Sequence, residues 1–90
     1  MKTVYKYGIE IKYHFSVSMP AGAQVLTIQV QHGKPFIWAL VDTEAQLAER
    51  HFRVAGTGHP IEDENPLYVG TYQLHGGDLV FHLFEVGGGK

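Results

Sequence analysis

LYVGTYQLHGGDLVFHLFEV, residues 67–86, decides the fold. Two runs of alternating apolar and polar residues flank the pair Gly76-Gly77. Adjacent glycines accept the positive φ angles of a tight type I′ hairpin turn. A turn there sets His75 opposite Asp78, Leu74 opposite Leu79, Tyr72 opposite Phe81 and Thr71 opposite His82. A turn at Gly77-Asp78 instead shifts every partner by two. Both registers leave each side chain on the same face, because the period of a strand is two. Tyr68, Tyr72, Leu74, Leu79, Phe81 and Leu83 are expected to share the buried face. Val69, Thr71, Gln73, Val80, His82 and Phe84 are expected on the other.

The same period extends toward the amino end. Residues 24–31, QVLTIQVQ, group Leu26, Ile28 and Val30 against Val25, Thr27, Gln29 and Gln31. HGKP then turns the chain into FIWALV, residues 36–41, which is apolar on both faces and reads as a covered central strand. Tyr5, Tyr7, Ile9 and Ile11 alternate with Lys6, Gly8, Glu10 and Lys12, the pattern of an outer strand with one wet side. Phe15, Val17 and Met19 form a short strand that MPAGA interrupts. Phe52 and Val54 point one way, and His51, Arg53, Ala55 and Thr57 the other. TEAQLAER, residues 43–50, suits a short helix or a turn, with Thr43 and Gln46 spaced as a capping box. The reading is all-β: a single small β-sandwich or barrel of about seven short antiparallel strands, with that helix or turn near 43–50. The domain is expected over residues 1–87, with 88–90 a flexible tail.

Composition narrows the function classes. Ninety residues at 44% hydrophobic and 18% charged make one globular domain. A chain of this size buries roughly 60–68% of its extended surface, so a ligand belongs in a surface groove or between subunits. The net charge of −2, with Arg50 and Arg53 the only arginines, argues against duplex nucleic acid. There is no cysteine, hence no thiolate site. No apolar run approaches the ~20 residues of a membrane helix, and the amino end lacks a leader pattern.

Six histidines are many for this length, yet no two are two residues apart, so no strand presents a metal pair and no metal is expected. His75 near Asp78 flanks a tight turn, and Ser16 and Ser18 face outward, so no hydrolytic triad is expected either. Glu62, Asp63 and Glu64 read as a solvated loop. The sharpest candidate is VAGTGHP, residues 54–60. The backbone of Gly56 and Gly58, the Thr57 hydroxyl and the side chains of His51, Arg53 and His59 suit a phosphate. The competing reading is a plain turn at a strand end. Tyr68 and Trp38 are the candidate stacking aromatics, although Trp38 lies in a strand apolar on both sides, which favours core packing.

Taken together, MPAGAQVLTIQVQHGKPFIWALVD, FRVAGTGHPI and YVGTYQLHGGDLVFHLFE resemble a family of small uncharacterised proteins encoded by bacteriophages and prophages, classed as a domain of unknown function. The resemblance covers nearly the whole chain. It implies a setting, the cytoplasm of an infected bacterium, where small phage proteins disarm host defence and some act as sponges for nucleotide signals. The expectation that follows is a sponge without cofactor or catalytic residue, holding a cyclic ADP-ribose or cyclic oligonucleotide signal. As a homo-oligomer it would have no partnership with duplex nucleic acid or membrane. An interaction or virion-accessory module is the alternative, and a phosphodiesterase the third.

Overall fold

The computed structural model describes residues 1–87; the expected tail at 88–90 lies outside the described residues. Seven strands form two antiparallel sheets. The first sheet has three strands in the order β1 (Lys2–Gly8), β4 (Lys34–Asp42), β3 (Gln24–Gln31). The second has four, in the order β2 (His14–Pro20), β5 (Leu47–Gly56), β7 (Leu79–Val86), β6 (Leu67–Leu74). Their inner faces pack as a sandwich. Ile28, Ile37, Ala39 and Val41 of one sheet meet Met19, Phe52, Val54, Tyr72 and Leu83 of the other in a single core. Phe15 stacks on Phe52 with ring centroids 5.5 Å apart.

Two glycine turns set the two hairpins. His32 and Gly33 both have positive φ, 53° and 78°, between β3 and β4. Gly76 and Gly77, at 66° and 98°, do the same between β6 and β7. The second hairpin has the register that the Gly76-Gly77 turn demands: Leu74 opposite Leu79, Tyr72 opposite Phe81, Thr71 opposite His82.

Two β-bulges overturn face assignments made from simple alternation. In β3 the partner shifts between Val25 and Thr27, leaving Leu26 unpaired and 46% exposed. Val25 therefore joins Ile28 inside, and Leu26 does not. In β6 the shift lies between Tyr68 and Gly70. Val69 packs on the core, while Tyr68 is 63% exposed beside Phe84 on the outer face. An inserted residue reverses the parity of everything before it. β4 is central as expected, but only one of its faces is fully buried: Ile37, Ala39 and Val41. Trp38 lies half-buried on the outer face, not in the core, with Lys6 Nζ 5.4 Å from its ring centre.

Residues 43–50 hold no helix. Thr43 to Ala45 turn the chain, and β5 starts at Leu47. The capping oxygen is that of Asp42, which accepts from the Glu44 amide at 3.1 Å; the Thr43 hydroxyl donates to the Met1 carbonyl. That contact and the amino terminus nearby hold the Asp42 carboxyl below the usual carboxylate range. Ladder pairing of Leu47 to Gly56 outweighs the weak helix preference of eight residues. Pro20 does not stop β2 early. It pairs with Leu47 at the end of an edge strand, where a missing N–H is tolerated.

Candidate functional site

The outer face of the four-stranded sheet carries the polar chemistry. Register aligns His14, Arg53, Phe84 and Tyr68 in one row across β2, β5, β7 and β6. The neighbouring row is Ala55, His82 and Thr71. The segment after β5 folds back over the first row. Arg53 is its anchor: Nη2 donates to the Pro60 carbonyl at 2.8 Å, and the guanidinium carbon lies 5.3 Å from the Tyr13 ring centre. Asp63 stands on the same spot, one oxygen 3.8 Å from Arg53 Nε and the other 2.9 Å from His14 Nε2. The Arg53 side chain is only 13% exposed.

Gly56-Thr57-Gly58-His59 is a β-turn. The His59 amide donates to the Gly56 carbonyl at 3.0 Å, and Gly58 has φ 87°. That turn type needs a glycine at its third position. The His59 ring lies on the backbone of Gly56, where an added Cβ would come within 3.0 Å of it. Gly56 thus serves to let the ring fold back. The turn consumes the His59 amide, which is therefore not free for an anion.

Two hollows meet at Tyr13 and His59. The larger, about 580 Å³, has Arg53, His14, Glu62 and Asp63 in its walls. The smaller, about 310 Å³, is walled by Ile11, Val54 and Phe81 with Lys12 at its rim. The first carries charge, one guanidinium against two carboxylates; the second is mainly apolar. A third hollow, beyond the His14–Asp63 contact, contains His51.

Of the residues expected at one site, Arg53, His59 and Gly56 do converge on these adjoining hollows. Gly58 shapes the turn beside them. His51 lies in the third hollow. Thr57 faces another way: its hydroxyl is 2.7 Å from His82 Nε2, and His82 Nδ1 is 2.9 Å from the Thr71 hydroxyl. Tyr68 closes that chain, 2.7 Å from the same Thr71 oxygen. Trp38 belongs to the other sheet and does not join the site. Tyr13, His14 and Asp63 escape sequence reasoning. Their place depends on the β2–β5 register and on the return of a ten-residue connection, Thr57 to Pro66.

Among the described residues no group of three or more histidine, cysteine or acidic side chains is placed to hold a metal, and no helix is long and apolar enough to cross a membrane. No curated protein and no solved structure matches the chain. A family model does, over residues 1–89: the chain belongs to the domain of unknown function DUF7352.

Proposed function

We propose that this chain is a binding module that holds a nucleotide-derived small molecule across the two adjoining hollows without cleaving it. The observation that carries the reading is the pairing of a charge-bearing hollow with a mainly apolar one about Tyr13 and His59. A nucleotide has the same two halves. Its phosphate suits Arg53 and His59, and its ribose hydroxyls suit the acceptor oxygens of Glu62 and Asp63. Its base suits the Tyr13 face and the Ile11, Val54 and Phe81 walls, since stacking on an aromatic ring contributes ~1–3 kcal/mol per base. The two carboxylates disfavour a bare phosphate, so the ligand has to bring hydrogen-bond donors as well as negative charge. The likeness to phage-encoded proteins supports a sponge for a host immune signal in the bacterial cytoplasm, with cyclic ADP-ribose and cyclic oligonucleotides as first probes.

Thr57, His82 and Thr71 form a hydroxyl–imidazole–hydroxyl chain of the kind that activates a nucleophile. None of the three lines either hollow of the proposed site, so the ligand is expected to leave unchanged.

The test is depletion and recovery. The protein is mixed with cyclic ADP-ribose or a cyclic dinucleotide, filtered, then heated to unfold it. Loss of the probe from the filtrate and its intact return on heating support the reading. A chemically altered probe points to cleavage, and no loss of any probe removes the proposal.

A further inference from the structure

Four strands stand at sheet edges: β1 and β3 in one sheet, β2 and β6 in the other. An edge offers unpaired backbone groups to a second chain unless something interrupts it. Three of the four are interrupted or partly covered: β3 is bulged at Leu26, β6 is bulged at Val69, and β2 meets the returning connection where His14 contacts Asp63 and closes on Pro20. β1 runs from Lys2 to Gly8 with no proline and no register shift.

Hydrogen bonds at the two ends of β1 fix which of its groups are free. The Thr43 amide donates to the Met1 carbonyl at 2.8 Å, and the Ile9 amide to the Pro35 carbonyl at 3.2 Å. The odd-numbered residues therefore direct their N–H and C=O groups toward β4. Alternation in an antiparallel ladder turns those of Lys2, Val4, Lys6 and Gly8 to the open edge.

We propose that β1 is a self-pairing edge. Two copies join antiparallel about a two-fold axis at Tyr5, fusing two three-stranded sheets into one continuous sheet. Symmetry and charge select this register. An axis between residues would oppose side chains from opposite faces. An axis at Val4 sets Lys2 against Lys6 of the second copy, and an axis at Lys6 sets two Lys6 side chains together. Axes nearer either end leave much of the strand unpaired. With the axis at Tyr5, Lys2 meets Gly8, Thr3 meets Tyr7, Val4 meets Lys6, and Tyr5 meets itself. All seven residues pair and no like charges stand opposite. The exposed Val4, 50% accessible, is covered by the Lys6 stem of the second copy. The Lys6 ammonium is already drawn over Phe36, 4.6 Å from the ring centre. The candidate groove belongs to the other sheet, so this association is independent of ligand binding.

Sedimentation of the full chain over a range of concentrations tests the pairing. The expected result is a rise from 10.0 kDa to twice that mass. Val4→Pro removes an N–H that the monomer does not use, and should hold the mass at 10.0 kDa with an unchanged melting temperature. Val4→Lys puts like charges opposite Lys6 twice over and should weaken association about tenfold. It serves as well if the proline variant unfolds. Tyr5→Cys, in a chain otherwise free of cysteine, should crosslink on oxidation. Non-hydrogen-bonded partners place Cα atoms about 4.5 Å apart, within disulfide reach. Lys2→Cys should not crosslink. A monomer at every concentration, a dimer that withstands both Val4→Pro and Val4→Lys, or equal crosslinking of the two cysteine variants overturns the proposal.

Discussion

A Cβ placed on Gly70 would stand 2.6 Å from Cγ2 of Ile28, across the gap between β6 and β3. No real Cβ tolerates that distance, and Ile28 is 3% exposed with no room to retreat. Gly70→Ala should destabilise the fold by about 1–3 kcal/mol, as overpacked cores do. Chemical unfolding of Gly70→Ala, Ile28→Ala and the double variant checks the cause. The double variant should be less damaged than the sum of the two, because the methyl of the first fills part of the cavity left by the second.

Tyr72 is 4% exposed, and its hydroxyl has no hydrogen-bond partner among the described residues. Burial pushes its pKa up to about 12, from an ordinary 10.0. A folded-state pKa raised above the unfolded value gives stability that is complete below the unfolded pKa and lost as pH climbs through the folded one. Stability should therefore fall between pH 10 and about 12, by about 2–3 kcal/mol. Tyr72→Phe should remove most of that fall. At neutral pH the same variant should be as stable as the parent or about 1 kcal/mol more so, since it deletes an unpaired buried group. Denaturant titrations at pH 8, 10 and 12 read both effects.

Arg50 points inward at the sandwich edge, where Glu85 accepts from two of its nitrogens and the Ala23 carbonyl accepts from a third at 2.8 Å. Glu85 keeps that guanidinium charged, raising its pKa. Arg50→Ala leaves a carboxylate and a carbonyl without their donor. With both side chains about a fifth exposed, the expected loss is about 1–3 kcal/mol. Replacing the pair together, Arg50→Met with Glu85→Leu, should recover most of it in thermal melts.

Arg53 holds the connection after β5 through Pro60 and Asp63, besides facing the charge-bearing hollow. Arg53→Ala should therefore abolish probe depletion and also lower the melting temperature by a few degrees. Tyr13→Ala removes a ring that is 65% exposed and whose contact with the Arg53 guanidinium, at an exposed site, contributes only about 0.5–1 kcal/mol. It should weaken binding about tenfold or more, the loss of one stacking platform, with a smaller drop in melting temperature than Arg53→Ala. Calorimetric titration of a depleted probe into both variants separates anchoring from recognition.

Much of the architecture can be read from the chain, because a half-buried strand writes its period of two into the sequence. The Tyr72–Phe81 pairing and the Gly76-Gly77 turn follow from that period and from glycine's dihedral freedom. The bulges at Leu26 and Val69 leave no such trace, since an extra apolar residue looks like any other member of an apolar run. Arg50 misleads for a different reason. Its partner Glu85 lies 35 positions away, so an inward arginine reads as a polar helix face. The site divides in the same manner. Arg53 and His59 lie close together in the chain and announce themselves beside the glycines. Tyr13, His14 and Asp63 reach them only through strand pairing and a long return, which no local pattern encodes.

The unpaired Val69 makes the length of this strand a coded quantity. Deleting that one residue would leave Tyr68 facing outward, but straightening the ladder with Val69 retained would exchange the sides of Leu67 and Tyr68, driving a phenol into hydrocarbon and breaking its bond to Thr71. Replacement of Tyr68 by another side chain asks far less of the fold. Here the reading frame of the pleat, more than the identity of any residue, is what the bulge sets.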